Sequence, residues 1–202
     1  MHRIFLGLAV TNGSLLLASY VVGLISTGEP RGPRTVAPWH LVHFLLGLLT
    51  TMSTLLVHSI VYTYFLGTGK WVKEVVRAYR MPDWVEAQAK KNKKKAFRFE
   101  FWSMALIGIA AWFGAASDAQ GFNPIWHLAA SSIALAYNLG AFVVEYAVIV
   151  AQARLLLEVK ARADAQREAL YGPSASGATE APSPSPEGDR ADLVPSHPAG
   201  DG

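Results

Sequence analysis

The chain has no cysteine. Disulfides, iron–sulfur clusters, thiolate metal sites and covalently attached c-type haem are excluded with it. It also lacks the short apolar/polar alternation of half-buried strands. The apolar residues come instead in long blocks, and 51% of the 202 residues are hydrophobic. Such a composition belongs to the membrane class. The net charge is only +3, but the positive charges are strongly clustered. The lysine tract has neither an interleaved aromatic platform nor a binding-fold motif around it, so no nucleic-acid partner is expected.

Four segments are apolar over the roughly 20 residues that a helix needs to cross a ~30 Å hydrocarbon core. They cover about 4–26, 39–66, 99–117 and 125–151. The expected fold class is all-α: a polytopic membrane protein with a four-transmembrane-helix bundle in residues 1–152. A basic cytoplasmic segment is expected at 67–98 and a cytoplasmic helical extension at 153–171. The stretch 172–202 is rich in Pro, Ser, Gly and Ala and reads as a disordered tail.

Lysine and arginine set the expected orientation. Lys70, Lys73, Arg77, Arg80, Lys90, Lys91, Lys93, Lys94, Lys95 and Arg98 lie between the second and third runs. Arg154, Lys160, Arg162 and Arg167 follow the fourth. The first loop has only Arg31 and Arg34, and the loop between the third and fourth runs has none. The positive-inside rule then places both termini and 67–98 in the cytoplasm of a prokaryotic-type plasma membrane. Met1-His2-Arg3 resembles the start of a signal peptide. The apolar run after it is too long for one and lacks an A-x-A site, so it is read as a retained span.

Within 67–98, Trp71, Val72, Val75, Val76 and Tyr79 share a helical face opposite Lys70, Lys73, Glu74, Arg77 and Arg80. This predicts an amphipathic helix, either lying at the interface or prolonging the second run. Pro82 should interrupt it, and Asp83 with Glu86 resembles a capping box that opens the next helix. Lys90, Lys91, Lys93, Lys94 and Lys95 are expected to contact anionic headgroups. The GTGK at 67–70 is not a phosphate loop, because Trp71 follows the lysine and Tyr64 stands where the first glycine belongs. Its glycines are expected to loosen the exit from the bilayer. Leu155, Leu156 and Val159 form either a partner-binding seam or part of a solvated extension.

The second run carries His40, His43 and His58. At about 100° per residue, His40, Gly47, Thr51, Thr54, His58 and Tyr62 lie within about 40° of one line, with His43 about 60° away. Leu45, Leu49, Met52, Leu56 and Ile60 form the opposite face, which suits lipid. In the fourth run, His127, Ser131, Ala134, Asn138, Ala141, Glu145 and Gln152 share a face. The fragments PWHL at 38–41 and PIWHL at 124–128 hint at a duplicated hairpin, aligning His40 with His127 and His58 with Glu145.

Two polar layers follow, about 27 Å apart along the helix axis. The outer one holds His40, His43 and His127, with Asp118 at the end of the third run. These four are candidate ligands for a divalent transition metal. His40 or His43 with His127 are alternatively candidate axial ligands of a haem b. The separation of His43 and His58 is similar to the two-haem spacing of cytochrome b proteins. Glu145 stands where the inner haem would need its second ligand, so the chain is not assigned to that family. The inner layer holds His58 and Glu145, with Asn138 between the layers and Asn12 at a similar depth. It is a candidate proton or ion relay, or else a hydrogen-bonded clamp. Gly108, Ala110, Ala111, Gly114 and Ala115 in the third run serve close helix packing, internally or in a homodimer.

The small soluble parts favour a non-enzymatic subunit or accessory module of a membrane complex. A haem- or metal-binding redox protein and a small ion or proton transporter are the two other readings.

Overall fold

The computed structural model describes residues 2–27 and 38–172. The first loop with Arg31 and Arg34, and the tail expected to be disordered, lie outside these residues. Four helices follow one another: α1 His2–Ser26, α2 Pro38–Ala78, α3 Asp83–Gln120 and α4 Pro124–Tyr171. Each is long and apolar enough to cross a membrane. They form an all-α four-helix bundle. α1 packs on α2 and α4, α3 packs on the same two, and α2 touches α4 across the diagonal.

The bundle buries a narrow stripe of each helix. Only 22–39% of each apolar window is buried inside the protein, so most of the greasy surface points outward. The leucine face of α2 behaves this way, with Leu45, Leu49, Met52 and Leu56 each more than half exposed. Inside, Phe5 and Leu16 of α1 meet Val57, Val61 and Phe65 of α2, Ile107 of α3 and Phe142 and Ile149 of α4.

Local sequence explains the turns. α2 ends in a Schellman arrangement in which Met81 N–H donates to Val76 O at 3.0 Å. Arg80 occupies the left-handed position usually given to glycine, at φ 48°. α3 begins at Asp83 after Pro82, and no side chain caps it. The expected capping box is therefore absent: Asp83 is already helical, and Glu86 instead pairs with Lys90 at 2.8 Å. That hydrogen bond holds the Glu86 carboxyl below its ordinary range. At the other end, Gly121 in the left-handed region closes α3. The Asn123 side chain then accepts from Ile125 N–H, with Pro124 opening α4.

Of the two placements expected for the amphipathic stretch, the structure has the second: it prolongs the second run, with α2 unbroken from Pro38 to Ala78. Two other expectations change. Gly67 and Gly69 lie inside that helix and loosen nothing. Leu155 and Val159 are neither a partner seam nor solvated. They are buried against Val72, Val76, Met81, Val85 and Ala89 in a second core, where the far ends of α2, α3 and α4 pack together.

Candidate functional site

The outer layer is built from two matched imidazoles. His43 on α2 directs Nδ1 at the backbone carbonyl of Ser19 on α1, at 3.1 Å. His127 on α4 directs Nδ1 at the carbonyl of Ala110 on α3, at 2.9 Å. A carbonyl only accepts, so in both rings Nδ1–H is the donor and Nε2 carries the lone pair. Among the described residues, neither Nε2 has a hydrogen-bond partner. The ring centroids are 5.9 Å apart.

Each ring rests on a glycine one turn beyond its carbonyl partner. A Cβ at Gly23 would stand 2.7 Å from Cε1 of His43, and one at Gly114 would stand 3.0 Å from Cε1 of His127. Of the small residues of α3, Ala110 and Gly114 thus pack inside the chain, whereas Gly108, Ala111 and Ala115 are exposed. The two halves of the bundle repeat this arrangement, with His43, Ser19 and Gly23 matching His127, Ala110 and Gly114. The structural counterpart of His127 is therefore His43, not the His40 suggested by the PWHL and PIWHL fragments.

His40 sits at the rim, with Nε2 3.4 Å from Asp118 Oδ2. The four residues expected as one metal ligand set, His40, His43, Asp118 and His127, are thus divided into two pairs. Among the described residues, no three His, Cys, Asp or Glu side chains converge to hold a metal ion. Between the four helices lies a cavity of about 400 Å³. Both central imidazoles line it, with Leu16, Phe44, Ile107 and Leu135 on its apolar walls. That volume falls in the range of small-molecule and cofactor sites.

The inner layer is different. His58, Asn138 and Glu145 are wholly buried. His58 Nδ1 lies 2.9 Å from Glu145 Oε1, and its Nε2 lies 3.0 Å from Asn138 Oδ1. Asn138 donates its amide to Ala134 O, which turns its oxygen toward the ring. His58 Nε2–H must then be a donor, and one proton lies between Nδ1 and Glu145. Phe142 stacks on the imidazole, with centroids 5.4 Å apart. Asn12 does not reach this pair; it donates to Thr54 Oγ1, one turn outward, at 3.0 Å.

Beneath the pair, toward the lysine-rich end, Asn92 donates to Gln152 at 3.0 Å, and Gln88 donates to Asn92 at 3.0 Å. Glu100 of α3 is wholly buried at the level of Glu145. Sequence reasoning missed it because it abuts the basic run and reads as a flank of the apolar segment. The signal was its place one residue inside that segment. Of the five lysines, Lys90, Lys91, Lys94 and Lys95 are exposed, and Lys93 lies over the Phe97 ring.

Comparison of the chain with protein-family models, curated proteins and solved structures finds no match.

Proposed function

We propose that the chain is a multi-pass membrane protein that holds one haem b in its outer half, with His43 and His127 as axial ligands. The observation that carries this reading is the matched posture of the two imidazoles. Each has Nδ1 occupied by a backbone carbonyl of the neighbouring helix and Nε2 left over, and both line one cavity. Ligating histidines are held this way, because the second hydrogen bond fixes tautomer and ring orientation. Haem brings its own equatorial nitrogens and asks the protein for two axial ones. A bare zinc or copper ion asks for three or four protein ligands. The pairing of side chains supports the first case over the second. His40 belongs to the rim in this reading and is no ligand.

The outward-facing leucine surfaces support a lipid surround. The distribution of lysine and arginine supports termini and 67–98 on the cytoplasmic side of the plasma membrane. Lys90, Lys91, Lys94 and Lys95 then face anionic headgroups. Bound haem would supply one-electron chemistry in a water-poor site. The protein's own part is to orient two imidazoles and exclude solvent. With such small soluble parts, it suits an electron-carrying subunit of a membrane complex better than a self-contained enzyme.

Absorbance tests the reading. Protein purified from cells supplied with ample haem should show a Soret band and close to one haem per chain. Protein so made with no Soret band overturns it, and stoichiometric metal without porphyrin would point to the ion site instead.

A further inference from the structure

The inner layer contains buried oxygens that its hydrogen bonds leave over. Both carboxyl oxygens of Glu100, Oε2 of Glu145 and Oγ of Ser103 are buried without a partner. Buried polar groups are normally satisfied, so each such atom calls for an explanation. Glu100 and Ser103 lie one turn apart on the same face of α3. Glu100 is within electrostatic reach of Glu145. The other oxygen of Glu145 is engaged by His58. Three helices thus deliver one wholly buried protonatable group each to one layer.

The surroundings offer little to balance a charge there. The buried residues of α1 are Phe5, Asn12, Gly13, Leu16, Ser19 and Ser26, none of them ionisable. Tyr137 of α4 is within electrostatic reach of Glu145. Arg98 stacks on the Phe99 ring and makes no ion pair among the described residues. Among the described residues, His58 is therefore the one basic group bonded within the layer. A carboxylate without a partner in such a place is expensive.

We propose that Glu100, Glu145 and His58 form a proton-binding site that exchanges with the lysine-rich end of the bundle. With Nε2–H of His58 held by Asn138, the layer is electrically neutral when two protons are shared among His58 Nδ1, Glu145 and Glu100. Release of one proton leaves a single negative charge spread over the two carboxyls; uptake restores neutrality. Neither Glu100 oxygen nor Glu145 Oε2 has a hydrogen-bond partner among the described residues, so a proton passing between the two carboxyls, which leaves Glu100 ionised and Glu145 neutral, requires a side-chain rotation or an intervening water. Toward the lysine-rich end, the Gln152–Asn92–Gln88 ladder begins about 10 Å away along α4 and reaches half-exposed Gln88. Phe65, Ala96 and Ile149 fill the turn between, so exchange requires that packing to open.

This site does not depend on haem, and infrared spectroscopy on the full chain in an alkyl maltoside detergent, which has no carbonyl of its own, tests it directly. At pH 7, exposed carboxyls are ionised and give no carboxylic-acid carbonyl band. Wild-type protein should show such a band, and it should move on transfer to D₂O. Glu100→Gln should lose it while keeping its helical circular dichroism, and Glu145→Gln should shift or lose it. A wild-type spectrum without the band overturns the proposal. So does a band untouched by Glu100→Gln, or one that never exchanges in D₂O. A band that responds to sodium ions at fixed pH would overturn it in favour of a metal cation. If Glu100→Gln fails to fold, the wild-type band and its exchange still decide.

Discussion

The two halves of this bundle use histidine in opposite ways. In the outer half, His43 and His127 each give one ring nitrogen to a backbone carbonyl and keep the other. They stand against glycines and border a cavity. In the inner half, His58 gives both nitrogens to side chains and is wholly buried, stacked on Phe142. The type of residue is the same, and the helices that carry the facing pairs are the same two. In the reading proposed above, the number of nitrogens left over and the cavity beside the ring separate a haem ligand from a proton-holding group. Backbone carbonyls cannot take a proton, so they orient an imidazole without competing for its charge. A carboxylate both orients the ring and shares its proton.

The largest test of this difference is a crossover in cofactor retention. His43→Ala and His127→Ala should each lower bound haem more than about tenfold, read from the Soret band per chain. His58→Ala should keep the band. Loss of haem in all three would erase the distinction between the halves. Stability should then report the reverse order. Glu145→Ala leaves His58 with an unpaired buried nitrogen and should cost roughly 3–5 kcal/mol in denaturation followed by circular dichroism. His43→Ala, at a partly open site, should cost far less.

Glycine sharpens the comparison further. Gly23→Ala would press a methyl carbon against the His43 ring. It should cost roughly 1–3 kcal/mol and shift the Soret maximum. Gly140 meets nothing within reach of an added Cβ, and Gly140→Ala should leave both readings unchanged or gain slightly. The smallest effect is expected away from both layers. Arg80→Gly relieves a left-handed backbone position and should add about 1 kcal/mol of stability. It should leave absorbance unaltered.

Helical periodicity made much of this legible before any coordinates. The spacing between His40 and His58, repeated between His127 and Glu145, put the polar residues of two helices on facing seams. From that the meeting of His58 with Glu145 followed, whereas Asn138, expected between the layers, bonds His58 within the inner one. Three things did not follow. Which of His40 and His43 faces His127 depends on where α1 presents a carbonyl uncovered by a nearby glycine, which no pattern in α2 alone reveals. Glu100 was masked by its basic neighbours, because a charge at the edge of an apolar run normally reaches water. The core joining Val72, Val85 and Val159 draws a few residues from each of three distant segments; the face of 71–79 shows a helical period, but nothing in it says which other segments cover it.

The unbroken passage of α2 through Gly67 and Gly69 has a mechanical consequence. At 41 residues this helix is about 60 Å long, roughly twice the thickness of a hydrocarbon core. α3 and α4 accompany it, clamped to it at the far end by Val72, Val76, Leu155 and Val159. No break in α2 separates the span that carries the imidazoles from the extension packed beside the lysine-rich end, so both ends belong to one continuously packed body that reaches well past a hydrocarbon core.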